Sequence, residues 1–240
     1  MREIIRVSDS AAAEAWLLRT VTALAHEAVA ARGSFRMALS GGSSPLPFYR
    51  RLAAADFPWK QTQVWMVDER YVPLGNSDHN GTAIKDIFCS HLATVLAPDA
   101  LHLIDTSKTS SSLAAAAYAA ELAGLQGNPW PIFDFILLGM GADGHTASLF
   151  PGTQAAEVKD RTALAVTPLT APHQRISLSL PVLNAARELV FLVTGAAKRE
   201  MLARVLAQPD PAIPASLVEP SAGRVVFLVD VLSAPPEIPF

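Results

Sequence analysis

Residues 133–152 read Phe133-Asp134-Phe135-Ile136-Leu137-Leu138-Gly139-Met140-Gly141-Ala142-Asp143-Gly144-His145-Thr146-Ala147-Ser148-Leu149-Phe150-Pro151-Gly152. An apolar segment of strand character runs into glycines, an aspartate and a histidine. A Thr-Ala-Ser-Leu-Phe turn of helix is expected next, stopped by Pro151-Gly152. A buried strand requires the apolar run but not this ending. Glycines that admit close backbone approach, beside a carboxylate and an imidazole, suit a site for a small polar ligand.

Gly139, Gly141 and Gly144 formally satisfy G-x-G-x-x-G, the dinucleotide fingerprint. That fingerprint needs a long helix after its third glycine, which Pro151 forbids, and an acidic residue closing the next strand. Asp160 has roughly the right spacing but precedes the strand-like residues 163–167. A dinucleotide site is rejected on both grounds.

Working outward, Ser8 or Asp9 caps a long helix that Gly33 ends. Residues 35–39 form a short strand. Ser40-Gly41-Gly42-Ser43-Ser44-Pro45 turns it into a helix through about residue 54. A strand at 64–67 ends at Asp68-Glu69-Arg70, a polar loop covers 73–81, and a helix follows to about residue 91. Residues 101–104 are extended, and an alanine-rich helix runs to residue 125. Beyond Pro151, strands are expected at 163–167, 175–179, 189–194 and 225–229, with a helical turn at 181–186 and a helix at 196–206. This alternation argues for an α/β fold with a mainly parallel sheet covered on both faces.

The chain has 240 residues, 50% of them apolar, which supports one domain spanning residues 1–240 with a substantial core. A net charge of −3 supplies no basic field, so no nucleic-acid partner is expected. The single cysteine, Cys89, excludes an internal disulfide and suits a reducing, cytoplasmic setting. The first residues lack the apolar core of a signal peptide, and no apolar run reaches membrane-spanning length, so no membrane partner is expected either. The six histidines include no pair within four residues of each other. No metal and no cofactor are expected.

Each strong polar cluster follows the end of an expected strand, and in a parallel sheet those ends share one edge, where ligands bind. At Ser40–Pro45, Gly41 and Gly42 let amides turn toward an anion at a helix start, and Ser43 and Ser44 add hydroxyls. The Gly-Lys-Ser/Thr ending of a Walker loop is missing, and an ordinary serine-capped turn explains the segment equally well. Asp68-Glu69-Arg70 should line a cleft or pair internally, because three adjacent charges are costly to bury. Arg70 suits a carboxylate, a phosphate or a developing oxyanion, although a rim salt bridge would also account for it. His145 is the best general base in the chain, with Asp143 to orient it or to hold substrate. Arg175 opens a strand, and Lys198 stands in a first helical turn, where a cation is locally unfavourable and suited to meet an anion near Gly42. Each of these two is also explained as a solvated surface charge.

Together these segments resemble the 6-phosphogluconolactonase family, lactonases of the oxidative pentose phosphate pathway. The likeness runs in order through Leu39-Ser40-Gly41-Gly42-Ser43-Ser44-Pro45, Val67-Asp68-Glu69-Arg70-Tyr71-Val72-Pro73 with Asn80 downstream, and residues 139–152. It ends with Pro172-His173-Gln174-Arg175-Ile176-Ser177 and its continuation to Asn184, then Val193-Thr194-Gly195-Ala196-Ala197-Lys198. The resemblance implies a three-layer, Rossmann-like α/β fold shared with sugar-phosphate isomerases and deaminases, and a metal-free hydrolysis. It puts the catalytic histidine on His145, the Asp-Glu-Arg arginine on Arg70, and phosphate binding on Gly42, Ser43, Arg175 and Lys198. One departure is visible: the family usually has Ser-Asn where this chain has His79-Asn80.

The implied substrate is a phosphorylated sugar lactone, 6-phospho-D-glucono-1,5-lactone, attacked by water that neutral His145 activates. The related glucosamine-6-phosphate deaminases carry a functional glutamate where Phe150 stands and Asp-Glu-Tyr where this chain has Asp-Glu-Arg. A non-catalytic sugar-phosphate sensor is the other alternative, but the chain has no basic helix-turn-helix and retains the histidine.

Overall fold

The computed structural model describes residues 2–92, 96–97, 99–125, 127 and 129–236. In chain order the elements are β1 (Arg2–Val7), α1 (Ser10–Arg32), β2 (Phe35–Leu39), α2 (Leu46–Ala53), β3 (Thr62–Met66), β4 (Asp68–Arg70), α3 (Asn80–Leu92), β5 (Leu101–His102), α4 (Ser111–Leu122) and β6 (Phe135–Leu138). Then follow β7 (Ala163–Val166), β8 (Arg175–Leu178), α5 (Leu180–Leu183), β9 (Glu188–Val193), α6 (Arg199–Ala207) and β10 (Arg224–Asp230), with short 3₁₀ turns between some of them.

Seven strands form one sheet in the order β1-β10-β9-β6-β2-β3-β5, and every pairing in it is parallel. Its central strand β6 is buried at all four positions, as expected of a parallel strand covered by helices on its faces. The stacked rings of Phe191 and Phe227, with centroids 4.8 Å apart, join β9 to β10 within the core. Strand order reverses between β2 and β6. The chain runs from β2 outward through β3 to β5, then returns through α4 to β6 on the other side. The crevice beyond the carboxyl ends of those two strands is therefore the expected ligand site.

The caps of α1 follow the sequence. The Asp9 carboxylate accepts the Ala12 N–H at 2.8 Å, and Gly33 closes the helix at φ 74°. At the opposite end of the sheet from the crevice, Arg224 on β10 joins Glu188 on β9 at 2.8 Å and Glu3 on β1 at 3.0 Å, stitching three adjacent strands.

Two local expectations are corrected, and one strand is added. Asp68–Arg70 does not merely end β3; it is a strand of its own in a second, antiparallel sheet of order β4-β8-β7. Residues 146–150 form no helix. Thr146 and Leu149 bridge across a tight turn, with Ala147 at φ 49°, because Thr146 Oγ1 donates to the Gly139 carbonyl and Ser148 bonds to other strands. Five residues before a proline cannot offset helix nucleation against those bonds. Arg2–Val7 forms the edge strand β1, which the charged residues at positions 2, 3 and 6 conceal in the sequence.

Candidate active site

Two joined cavities, of about 130 and 210 Å³, open at the carboxyl ends of the parallel strands. They share Ser40, Gly41, Gly42, Gly139, Met140 and Lys198. The smaller continues over Ser44 and Thr194, and the larger over Asp68, Arg70, Asn80 and His145.

The smaller cavity sets the Gly42 loop and Lys198 beside apolar residues of the strand ends. Gly42 holds φ 90°, which turns the chain out of β2 toward α2 and is open only to glycine without strain. Among the described residues no acceptor meets the N–H groups of Gly42, Ser43 and Ser44. Lys198 stands opposite, where a short 3₁₀ turn at Ala196–Lys198 leads into α6, and pairs with no described carboxylate. Amides at a helix start and an unpaired ammonium lining the same cavity are groups that can hold an anion. Ser44 lines this cavity, whereas Ser43 faces the neighbouring depression beside Ser10 and Glu14.

At the larger cavity, the turn after β6 carries His145. Its ring lies 2.6 Å, through Nδ1, from the Asp143 carboxylate, which also accepts the His145 N–H at 3.1 Å. In the neutral ring that contact puts the proton on Nδ1 and leaves the lone pair on Nε2, which has no partner among the described residues. A side chain on Gly141 would fall 2.2 Å from both Asp143 Oδ1 and His145 Nδ1, so glycine is required where the pair lies over the backbone. Burial pushes the Asp143 carboxyl up, but the adjacent imidazole and the hydrogen bonds outweigh it and hold the group below its ordinary value. The Phe150 ring backs the imidazole at 4.5 Å.

The Asp-Glu-Arg triplet divides its tasks. Asp68 and Arg70 line the larger cavity. Asp68 accepts the Ser148 hydroxyl at 2.5 Å, and Arg70 Nη1 donates to the Asp78 carbonyl at 2.8 Å. Glu69 neither lines the cleft nor pairs with its neighbours' side chains; it is wholly buried and accepts backbone N–H groups. Arg175 faces Arg70 across the β4–β8 pair, not Lys198. It borders neither cavity. It is buried, with Nε and Nη1 unpartnered and its guanidinium carbon 6.0 Å from the Phe150 ring centre. Burial first, and the Arg70 charge second, hold its pKa below the usual arginine value.

Two lining residues were missed as sites in the sequence. Ser40 is buried with its hydroxyl unpartnered and borders both cavities. Its carbonyl is fixed by the Tyr49 hydroxyl at 2.6 Å. Asn80 donates to the Asp68 carbonyl at 3.2 Å and fills the space that a side chain on Gly41 would need. Its position just downstream of Asp-Glu-Arg was the available signal. Among the described residues, no group of three or more His, Cys, Asp or Glu is placed to hold a metal ion. No described helix is long and apolar enough to cross a membrane.

Residues 8–227 match the family model described as glucosamine-6-phosphate isomerases/6-phosphogluconolactonase. The chain is 38% identical over 237 residues to the human GDH/6PGL endoplasmic bifunctional protein, covering 92% of this chain and 30% of that protein. It thus spans less than a third of that relative. It is also 38% identical over 216 residues to 6-phosphogluconolactonase of Synechocystis, covering 88% of each. The solved structure of 6-phosphogluconolactonase from Trypanosoma brucei superposes with a TM-score of 0.85 at 27% identity, covering 97% of each chain. With a cleft that gathers the motif residues at one rim and relatives matched over nearly the whole length, the chain belongs to the 6-phosphogluconolactonase family, within the glucosamine-6-phosphate isomerase superfamily.

Proposed function

We propose that this chain hydrolyses 6-phospho-D-glucono-1,5-lactone to 6-phosphogluconate, the lactonase step of the pentose phosphate pathway, and that residues 1–240 act as one lactonase domain. One observation carries the reading: the Gly42 turn, Ser44 and Lys198 line a cavity that shares its rim with His145, held through Nδ1 by Asp143. The substrate phosphate binds the amides and Lys198, and this tether brings the lactone carbonyl to His145. His145 Nε2 takes a proton from water as the water oxygen bonds to the carbonyl carbon. Asp143 stabilises the resulting imidazolium through Nδ1–H. Arg70 lies where it can donate to the developing oxyanion, with the buried charge of Arg175 behind it. Collapse of the tetrahedral species breaks the bond to the ring oxygen, which receives the proton back from His145. Asp68, Asn80 and Ser40 remain to hold sugar hydroxyls. The exposed, unpaired Cys89 supports a reducing, cytoplasmic setting.

Phe150 bears on the deaminase alternative: it stands where those enzymes carry a functional glutamate, and it packs on His145 as an apolar wall that transfers no proton. The test is proton release on adding fresh 6-phosphogluconolactone, measured against spontaneous hydrolysis. Release well above the spontaneous rate is expected. No acceleration, or ammonia release from glucosamine 6-phosphate, overturns the reading.

A further inference from the structure

Asp68 enters the cleft with half of its carboxylate satisfied. The residue is 8% exposed, and no described lysine, arginine or histidine pairs with it. A carboxylate so placed is costly unless donors surround it. Oδ2 has one donor, the Ser148 hydroxyl at 2.5 Å. Oδ1 has none among the described residues, and Asp68 lines the larger cavity. Alternation along β4 gives the cleft face to Asp68 and Arg70 and buries Glu69 on the other.

Ser148 works from behind this face. It is 1% exposed and borders neither cavity. Both bonds that it donates fix the place of Asp68. The hydroxyl holds the carboxylate itself. The N–H donates to Ser177 Oγ at 3.1 Å, and Ser177 on β8 is the residue paired with Asp68 on β4. The rest of the same turn is tied to the segment after β6: the His145 carbonyl accepts the Gly141 N–H at 2.8 Å, and Thr146 Oγ1 donates to the Gly139 carbonyl at 2.8 Å. One short turn therefore sets His145, from the parallel sheet, against Asp68, from the antiparallel one. Ala147 between them lines the cavity at φ 49°, a conformation that a non-glycine residue keeps only where its surroundings fix it. The Asn80 side chain holds the Asp68 carbonyl at 3.2 Å, so the backbone at Asp68 is fixed as well.

We propose that Ser148 is a positioning residue: it occupies Asp68 Oδ2 and so aims Oδ1 at one hydroxyl of the sugar ring, and this aim makes the enzyme select lactones that carry that hydroxyl. A substrate lacking the hydroxyl strips water from Oδ1 and gives nothing back, which is how a fixed polar group discriminates. The last torsion of an aspartate is soft. Without the Ser148 hydroxyl the carboxylate turns, and its cleft oxygen loses its aim. The inference rests on the lactonase reading but not on the phosphate grip at Lys198.

The test is kcat/KM for 6-phosphogluconolactone and for the phosphorylated lactones that each lack one ring hydroxyl, in wild type, Ser148→Ala and Ser148→Cys. The cysteine variant keeps a side chain of similar shape with a poor donor, and it reads the same contact if the alanine variant does not fold. The wild type should disfavour one deoxy lactone by roughly 10–100-fold, as expected for a hydrogen bond to a charged group. Both variants should bring that preference to within about threefold by losing rate on the parent lactone alone, with the deoxy lactone used as in wild type. A loss that falls equally on every lactone would reduce Ser148 to a structural bond and overturn the proposal. A wild type that uses the parent and every deoxy lactone alike would overturn it too and leave the lactonase reading standing, whereas a wild type that hydrolyses none of them would defeat both.

Discussion

His145 borders the cleft with a third of its side chain exposed, so removing it leaves the core intact. His145→Ala should lower kcat by roughly 10²–10⁴ with little change in KM; near-normal turnover under saturating lactone would remove the residue from the base role. Gly141 is constrained by position. A methyl there meets Asp143 and His145 at 2.2 Å, so Gly141→Ala should displace the pair and lower kcat roughly 100-fold while the melting temperature changes little. A fully active Gly141→Ala enzyme would show that the pair's placement is not needed. The meeting of His145, Gly42 and Lys198 at one cleft, with Asp143 beside the histidine, was legible in the sequence because each follows a strand end, and parallel strand ends converge on one edge. Ser40 was not, because its significance lies in a buried hydroxyl left unpartnered. Arg175 was assigned to the wrong neighbour, because an antiparallel pairing across a hundred residues leaves no local trace.

At the scale of elements, local chemistry was read well where it is local. Asp9 and Gly33 bound α1, and β2 occupies Phe35–Leu39 as expected. It failed where side chains bond far along the chain. Ser148, read as part of a helical turn, donates to Asp68 eighty residues away. The start of α3 gives the clearest element-level prediction. Glu69 has a folded-state pKa of about 7 against 4.5 for the free group, so the folded protein binds the extra proton between those values. Stability is therefore greatest below about pH 4.5 as far as this group alone is concerned. It is lost as pH rises toward 7 and constant above, a total on the order of 3 kcal/mol. Denaturant titrations of wild type and Glu69→Gln across this window should show a slope in the first that is absent from the second. Equal slopes would mean that Glu69 is ionised in the fold at acid pH.

For the whole molecule, alternating strands and helices made a parallel sheet legible, and six of its seven strands follow from that pattern, the charged edge strand β1 being the exception. The small antiparallel sheet was not legible, because a three-residue strand of Asp-Glu-Arg has no apolar period to detect. That sheet brings Arg70 to the cleft, so the fold's least readable part carries one of its site residues. The core underneath serves the site by rigidity. Phe227 is fully buried and stacked on Phe191, and Phe227→Ala should cost about 3–5 kcal/mol, a large share of a domain's net stability. The denaturation midpoint should fall while kcat per folded molecule at low temperature is kept; a kcat loss without destabilisation would place the stacked pair in the reaction itself.

The proposed reaction requires one substrate molecule to be gripped by its phosphate at Lys198 while its carbonyl meets His145. The most direct test is kcat/KM for 6-phosphogluconolactone and for the unphosphorylated gluconolactone, in wild type and Lys198→Ala. The wild type should prefer the phosphorylated lactone strongly, and Lys198→Ala should lose roughly 10–100-fold on that substrate alone, as expected for one charged contact. Equal use of both lactones by the wild type, or an equal loss on both in Lys198→Ala, would contradict it.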